Sequence, residues 1–274
     1  MLASESPGPA GHCERGQERS LLVRACVVTL LASLFGSLTS HLVARDTRSA
    51  KCVAPVATSG ENINLAWSPD GRQVAVGDRE DCVTVLDVRT HRATGTNKFP
   101  FEVNEFAWDA SGSRFLITSG HGTVEVLSYP GLDALHSLAA HTAGCYCLDT
   151  DPVSGTLLAV GSGDALVSLW DLGDMCCIRT LSRLEKPVRA LSFSHDGRFI
   201  AAGSQDQFID ISLAHTGEQA VRLDTHAELN SLAWNPRHLL LAYATGDETH
   251  VDAEGGVYER GRGEGMLRIW GLVS

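Results

Sequence analysis

The chain has 274 residues, of which 43% are hydrophobic, and its formal net charge is −11 at pH 7. This length is enough for one buried core, and a single domain is expected because β-rich domains of this size often stay undivided. The acidic balance argues against a chain whose main role is to neutralise nucleic-acid phosphates, since that role takes a basic surface.

The first predicted segment, residues 1–44, has two parts. Residues 1–20 are rich in Pro, Gly, Ser and charged residues, so no packed structure is expected. Residues 21–44 are mostly apolar, and Arg15, Arg19 and Arg24 precede their longest apolar run, which makes them a weak match to a secretory signal peptide or anchor. As a membrane span they are short and interrupted, where about 20 apolar residues are wanted. We expect this stretch to form a helix or to stay disordered, and expect no membrane partner.

Five segments downstream repeat one pattern at steps of 41, 42, 43 and 41 residues. An aromatic position before a turn marks most of them, and the markers are Trp67, Trp108, Thr150, Phe193 and Trp234. Each repeat contains strand-sized runs of β-branched and apolar residues separated by turn residues. A period of about 40 to 45 residues made of short strands is typical of a propeller of four-stranded blades. No helical apolar period is visible, so the predicted fold class is all-β.

The propeller is predicted over residues 45–274. Its repeats lie at about 61–99, 102–141, 144–185, 187–226 and 228–274. The last repeat contains a stretch rich in Gly, Asp and Glu, residues 246–264, which we expect to be a flexible acidic loop and not a strand. Its carboxylates lack the alternating register of a calcium loop, so no metal is predicted there.

The third repeat carries the pattern Gly-Ser-x-Asp followed by Trp-Asp over residues 161–171, which resembles the signature of WD-repeat proteins. In that family a His, a strand Ser, a turn Asp and a Trp form a buried hydrogen-bonded relay. The resemblance assigns this relay to His141, Ser162, Asp164 and Trp170. A catalytic Ser–His–Asp triad is the weaker interpretation, because it needs an exposed nucleophile on a strained turn and donors for an oxyanion.

The other repeats are degenerate at the relay. In the first repeat Glu80 and Leu86 stand at the Asp and Trp positions. The fourth repeat keeps Ser204 and Asp206, and we place Ile211 at its Trp position. The full relay is therefore predicted in the third repeat.

Several strings that have no general role in a propeller resemble one family of WD-repeat proteins. They are Gly60–Asn64, Phe101–Glu105, Leu127–Pro130, Asp164–Asp171, Pro187–Arg189, Leu191–Gly197 and Phe208–Ile211. Together they are similar to THO complex subunit 3, from about residue 45 to the last residue. The resemblance implies a nuclear, non-catalytic scaffold without a cofactor, in the assembly that packages messenger RNA and couples it to export. The implied partners are other THO/TREX subunits, with messenger RNA contacted indirectly and no small-molecule substrate.

Two other function classes are compatible with this fold. One is a substrate adaptor, for instance of a ubiquitin ligase, which co-purifying proteins would distinguish from a THO subunit. The other is an enzyme, which needs convergent carboxylates, metal ligands or an activated nucleophile, and the sequence shows no such set. The eight cysteines have neither a disulfide framework nor zinc-site spacing, so no metal is expected. The fold alone does not choose between these classes.

A partner-binding face is predicted where the inner strands begin, as is common in propellers. The residue four positions before each marker is the candidate, which gives Asn104, Tyr146, Arg189 and Asn230. Tyr and Arg are frequent interface anchors. One basic cluster is visible, made of Arg179, Arg183, Lys186 and Arg189. We predict a solvated loop there, with a partner or RNA contact as the alternative.

The closure of the propeller has two possible forms. The last repeat ends near residue 270 without an outer strand of its own. Residues 51–57 could supply that strand and close a five-bladed ring. The favoured interpretation is that they are the outer strand of a preceding blade whose remainder is missing. The five repeats would then form an open arc of a seven-bladed propeller.

Overall fold

The computed structural model describes residues 32–35, 41–46, 52–58, 60–246, 249–251, 257–259 and 266–271. Every regular element in these ranges is a β-strand, which confirms the all-β prediction. Within the same ranges there is no helix of the length and hydropathy that a membrane crossing requires. Residues 1–31, including the predicted disordered segment, lie outside the described part.

An antiparallel sheet precedes the repeats. It consists, in this order, of β1 (Ala32–Phe35), β2 (His41–Asp46) and β3 (Cys52–Ala57). The expectation that the apolar stretch forms a helix or stays disordered is therefore wrong at β1 and β2. The domain boundary predicted after residue 44 falls within β2. The physical reason is that residues 36–40, Gly-Ser-Leu-Thr-Ser, divide the stretch with turn-forming residues and leave two strand-length segments.

Four four-stranded antiparallel sheets follow, which we number blades 1 to 4. Blade 1 contains β4 (Asn62–Trp67), β5 (Gln73–Asp78), β6 (Cys82–Asp87) and β7 (Arg92–Lys98). Blade 2 contains β8 (Val103–Trp108), β9 (Arg114–Ser119), β10 (Thr123–Ser128) and β11 (Ala134–Ala139). Blade 3 contains β12 (Cys145–Thr150), β13 (Leu157–Ser162), β14 (Val167–Asp171) and β15 (Cys176–Leu181). Blade 4 contains β16 (Val188–Phe193), β17 (Phe199–Ser204), β18 (Phe208–Leu213) and β19 (Gln219–Asp224), and each blade is hydrogen-bonded in chain order.

Blade 5 has three described strands and an inserted hairpin. Its elements are β20 (Leu229–Trp234), β21 (Leu240–Thr245), the hairpin β22 (Thr249–Val251) and β23 (Val257–Glu259), and β24 (Met266–Gly271), with β21 between β20 and β24. The hairpin lies inside the predicted acidic loop, so the prediction that this loop contains no strand is wrong. β-branched and aromatic residues at the paired positions favour it, because Val251 pairs with Val257 and His250 with Tyr258.

The strand exchange that would close a five-bladed ring does not occur in the described part of the chain. There β3 pairs with β2, and β24 pairs with β21. β3 is the last strand of a three-stranded sheet and precedes β4 as β7 precedes β8, so the favoured interpretation, an outer strand of a preceding blade, stays a prediction. β1 and β2 supply two further strands to this sheet, so β3 does not stand alone.

The blades pack through their first strands and through apolar faces. The first strand of each of blades 1 to 4 lies beside the first strand of the next blade. Four apolar clusters of the described residues combine residues of neighbouring blades: Ile209 and Ile211 of blade 4, for example, pack with Leu232 and Trp234 of blade 5. A further cluster lies within blade 1. The core is therefore divided among the interfaces between blades, and each blade depends on the next for the burial of one face.

Candidate functional site

The predicted relay is present between blades 2 and 3. His141 lies in the loop before β12, and its Nδ1 is 3.1 Å from both carboxylate oxygens of Asp164, in the turn after β13. Its Nε2 is 2.8 Å from Oγ of Ser168, which also accepts a 2.8 Å hydrogen bond from Nε1 of Trp170. With Nδ1 donating to the carboxylate and Nε2 accepting from the hydroxyl, each donor in this chain has an acceptor.

The relay serine is Ser168, and the prediction of Ser162 is wrong. Ser162 Oγ donates instead to the carbonyls of Ala143 and Gly144, both at 3.1 Å, and accepts from the backbone N–H of Asp164. The reason is strand geometry. Ser162 is the last residue of β13, whereas Ser168 stands two residues before Trp170 on β14 and so shares its face.

Burial decides what the relay can do. The side chain of His141 is 2% exposed and Ser168 is 2% exposed. Burial alone would raise the pKa of Asp164. The opposing effects of His141 and of the backbone N–H groups of Leu166 and Thr142 are larger, so this pKa lies below its usual value. A hydroxyl this deeply buried is not accessible to a substrate, so the geometry supports a structural hydrogen-bond relay.

Blade 4 has a charged network in the corresponding place, which the sequence analysis missed. Nε and Nη2 of Arg183 donate to the two carboxylate oxygens of Asp210 at 3.0 to 3.1 Å. Nη2 also donates to Ser212, and Nε2 of Gln219 donates to Asp210 at 2.7 Å. Paired charge-assisted hydrogen bonds of this kind are among the strongest in proteins.

The strand register explains why the sequence analysis wrongly placed Ile211 at the Trp position of blade 4. Asp210 pairs with Ala202 as Ser168 pairs with Val160, so Asp210 occupies the position of the relay serine. Ser212, not Ile211, then corresponds to Trp170. The available signal was an Asp between two isoleucines in a buried strand, because such a carboxylate needs a cationic partner.

The four predicted partner-face residues share one backbone feature. The first strand of every blade has a β-bulge near its start, at which one residue is left out of the pairing. The omitted residues are Ile63, Asn104, Tyr146, Arg189 and Asn230. A bulge re-aims the side chain of its extra residue. These five residues, which we call the bulge ring, therefore occupy equivalent positions on one side of the blades.

The bulge ring contains one aromatic–cation pair. The guanidinium carbon of Arg189 is 4.9 Å from the ring centroid of Tyr146. Gly163 lies against the same ring, since a Cβ atom built there would be 3.1 Å from it. Arg189 and Asn230 are exposed, while Nδ2 of Asn104 donates to the Cys145 carbonyl at 3.0 Å and so joins blades 2 and 3. The exposed part of the ring therefore lies on blades 4 and 5, beside the half-buried Tyr146 of blade 3.

The basic cluster does not form one patch. Arg183 is engaged by Asp210, and Nζ of Lys186 donates to the carbonyl of Gln205 at 3.3 Å. Arg179 lies on the outer strand β15, whereas Arg189 belongs to the bulge ring. The predicted solvated loop holds for part of the cluster, and Arg189 alone of the four lies on the candidate face.

The described ranges contain buried and exposed thiols, the exposed ones being Cys176 and Cys177. Cys145 and Cys147 are buried and lie outside any disulfide, and burial raises the pKa of Cys145 to about 12, so Cys145 stays a thiol at neutral pH. No three His, Cys, Asp or Glu side chains of those ranges converge as metal ligands.

Known proteins similar to the chain include a THO complex subunit. Residues 132–171 and 175–211 match the family "WD domain, G-beta repeat". The THO complex subunit 3 of Arabidopsis thaliana is 50% identical over 84% of this chain and 70% of the relative's length. The chain belongs to the THO complex subunit 3 family.

More distant relatives of this THO complex subunit 3 family member share the repeats. WD repeat-containing protein AAC3 of Dictyostelium discoideum is 36% identical over 73% of the chain and 42% of its own length. Pre-mRNA-processing factor 17 of Saccharomyces cerevisiae is 28% identical over 46% of the chain and 27% of its own length. The resemblance to the THO complex subunit 3 family inferred from sequence strings is thus confirmed.

Proposed function

We propose that the protein is a non-catalytic scaffold subunit of a THO/TREX-type complex that acts in messenger RNA processing and nuclear export. The observation that carries this proposal is the 50% identity to a THO complex subunit 3 over 84% of the chain. A nuclear localisation follows from the same relationship. The partners are other subunits of the complex, and messenger RNA is contacted through them, in keeping with the net charge of −11.

The bulge ring is the proposed partner-binding surface. Its exposed members are Arg189, whose guanidinium lies on the half-buried ring of Tyr146, and Asn230 with its side-chain amide. Arg and Tyr carry much of the binding energy in protein interfaces. Because Tyr146, Arg189 and Asn230 are omitted from strand pairing, their side chains can be replaced without removing a paired position from the sheet. This makes the surface testable separately from the fold.

The test is affinity purification of the tagged chain from nuclear extract, followed by identification of the bound proteins. We expect THO subunits with the natural chain and their loss, by about tenfold or more, with the double variant Arg189→Glu, Tyr146→Ala. The matched control is Arg92→Glu, a charge reversal on the exposed outer strand β7, which should retain all partners.

Three outcomes would contradict the proposal in different ways. Unchanged partners with the double variant would show that the bulge ring is the wrong face. Recovery of ubiquitin-ligase subunits in place of THO subunits would favour the adaptor alternative. Partner loss with Arg92→Glu as well would point to a general effect of charge and not to one surface.

A further inference from the structure

The residue directly before the first strand carries a charge in some blades and none in others. It is an exposed glutamate in three blades, namely Glu61 in blade 1, Glu102 in blade 2 and Glu228 in blade 5. In blades 3 and 4 the same position holds Gly144 and Pro187. These are the two blades that contribute the tyrosine and the arginine of the bulge ring. The negative charge at this end of the blades is therefore interrupted beside the aromatic–cation pair.

The packing of Tyr146 explains why blade 3 has a glycine at this position. A Cβ atom at Gly144 would lie 3.4 Å from the Tyr146 ring and 3.0 Å from the backbone oxygen of Gly120. A Cβ atom at Gly163 would come within 3.1 Å of the same ring. A glutamate at position 144 would thus press on the ring that Arg189 contacts. The loss of the negative charge and the position of the ring belong to one local arrangement.

Arg189 is held by the ring, but its charge is not neutralised. Its guanidinium carbon lies 4.9 Å from the ring centroid of Tyr146, and the residue is exposed. Among the described residues it has no ion-pair or hydrogen-bond partner. A guanidinium on an aromatic ring keeps the N–H donors along its edge, which match the two oxygens of a carboxylate. The contact with the ring also reduces the freedom that the side chain loses when it binds a ligand.

The carboxylates in the turns between the second and third strands of blades 3 and 4 are used within the fold. Asp164 is held by the relay histidine at 3.1 Å. Asp206 accepts the backbone N–H groups of Glu185 and Lys186 at 2.9 and 3.1 Å. The side chains of Glu185 and Lys186 are both exposed and offset each other in formal charge. Arg189 therefore gives this part of the bulge ring a local positive charge, although the whole chain has a net charge of −11.

We propose that Arg189 and Tyr146 form a binding site for one carboxylate side chain, a glutamate or an aspartate, in an extended segment of a partner protein. The carboxylate accepts from the N–H groups along the edge of Arg189. Asn230, at the equivalent position of the adjacent first strand, provides an exposed amide for the backbone of the segment. This inference rests on the proposed partner-binding surface and names the chemistry of the segment that the surface takes.

The glutamates of the flanking blades limit the charge of the ligand. Glu102 of blade 2 and Glu228 of blade 5 are exposed at the same end and repel further negative charges. A nucleic acid carries a phosphate at every nucleotide and needs several cations along its path, whereas the bulge ring offers one guanidinium. The Tyr146 ring already contacts Arg189 and Gly163, so little of it is left for stacking on a base. The site therefore favours a single acidic residue between uncharged ones.

The test is a titration of the full chain, labelled with ¹⁵N-arginine, that follows the Nε–H signal of Arg189. The probe is the blocked pentapeptide acetyl-Gly-Ala-Glu-Ala-Gly-amide, raised to about 10 mM because a short peptide binds weakly. The variant Arg189→Lys lacks the signal and so assigns it. We expect this signal to shift with the glutamate peptide and to stay with the same peptide carrying glutamine or lysine. The matched control is the signal of Arg92, on the exposed outer strand β7, which should stay in every titration.

Three variants that keep Arg189 test the contribution of its surroundings. Pro187→Glu gives blade 4 the acidic residue of blades 1, 2 and 5 and should weaken binding of the glutamate peptide about fivefold. Glu228→Gln removes a flanking negative charge and should strengthen binding about twofold. Tyr146→Leu removes the aromatic ring and should weaken binding about fivefold. If Pro187→Glu does not fold, Glu228→Gln decides the effect of the flanking charge.

The proposal is overturned if the Arg189 signal does not move with the glutamate peptide, or moves equally with the glutamine peptide. Tighter binding of a peptide with three consecutive glutamates would refute the preference for a single carboxylate. A shift produced by oligouridylate but not by the glutamate peptide would assign the site to nucleic acid.

The titration and the affinity purification fail in distinguishable ways. A negative titration, together with loss of THO subunits from the Arg189→Glu, Tyr146→Ala double variant, would retain the bulge ring as the partner face and overturn the acidic ligand. Peptide binding by a chain that recovers no THO subunits would retain the carboxylate site and overturn the proposed function.

Discussion

Blades 4 and 5 place equivalent residues in opposite environments. Ile209 and Ile211 on β18 are 0% exposed, whereas Leu267 and Ile269 on β24 are 63% and 71% exposed. The register makes the pairs equivalent: Ile211 lies opposite Ala201 of β17, and Ile269 lies opposite Ala242 at the same position of β21. Both strands follow the same alternation of apolar residues.

The difference shows that the next blade, and not the strand pattern, decides burial. The face of blade 4 is covered by Leu232, Trp234 and Tyr243 of blade 5. The described residues supply no such cover for Leu267 and Ile269. Sequence alternation therefore indicates which face is apolar, while the stabilisation obtained from it requires a neighbour. The predictions below test this comparison, from the largest effect to the smallest.

The largest contrast is expected between alanine substitutions at the equivalent positions. Ile211→Ala should lower the free energy of unfolding by about 2–5 kcal/mol, because it leaves a cavity between blades 4 and 5. Ile269→Ala, its matched control, should change it by about 0.5 kcal/mol or less, since the side chain is already in solvent. Urea denaturation measures both, and similar losses for the two variants would show that β24 is covered in solution.

The second-largest loss of stability is expected when the buried charge network of blade 4 is broken. Arg183→Ala leaves the carboxylate of Asp210, 3% exposed, without its cation. Breaking a fully buried pair costs about 3–5 kcal/mol. The Arg183 side chain is 32% exposed, and Gln219 still contacts Asp210, so we expect about 2–3 kcal/mol.

The control for this pair is Arg198→Ala. Arg198 pairs with Asp196 at 2.6 Å but is 61% exposed, so its removal should cost about 1 kcal/mol or less. Thermal and urea unfolding of the Arg183→Ala and Arg198→Ala variants would measure the difference between their losses of stability. Equal costs would indicate that the blade 4 network is solvated.

The relay of blade 3 should contribute less. His141→Ala leaves Asp164 and Ser168 without a shared partner, which costs about 1–3 kcal/mol as unsatisfied buried polar groups. Replacement of His136 by alanine, on the exposed edge strand β11, is the control and should have little effect. A change in Tm for His141→Ala within the error of the control would contradict a buried relay.

The smallest effect is a pH dependence in the turn between β16 and β17. Burial raises the pKa of Asp196, but hydrogen bonds from Ser194 and Arg198 outweigh it and hold the pKa at about 2. A lowered pKa stabilises the fold above the unfolded value of 3.8, and this contribution is lost as the pH falls towards 2. We expect about 1 kcal/mol, reduced by solvent at this surface turn.

Comparison with Asp196→Asn measures this contribution. The natural chain should be more stable than the variant at pH 6, and the two should converge between pH 4 and pH 2. A difference that stays constant over this range would show that the charge of Asp196 does not stabilise the turn.

The sequence was sufficient for the repeats and for most of the relay, because both are local. The 41–43-residue period and the turn residues locate the blades, and the resemblance to the WD-repeat signature identified His141, Asp164 and Trp170. Ser168 was missed because choosing between two serines requires the strand pairing. The network at Arg183 was missed because its members come from three separate segments.

The ends of the repeat array were the hardest part to predict. The turn residues that interrupt the apolar stretch were visible in the sequence. The pairing of β1 with β2 and of β2 with β3 was not, because it depends on contacts between segments. The exposure of Leu267 and Ile269 could not be predicted from the sequence either, since it depends on what lies beside blade 5. The bulges were not predicted either, although the spacing rule selected four of their five residues.

The bulges have a consequence for how this surface can change over time. An exposed residue outside the ladder, such as Arg189 or Asn230, can be exchanged for many others without shifting the strand register. The bulge positions carry four residue types on one repeated backbone: Ile63, Asn104, Tyr146, Arg189 and Asn230. On the proposed partner-binding surface, specificity can therefore diversify at Arg189 and Asn230 while the strand pairing stays constant, and a library randomised at these two positions would sample new partners.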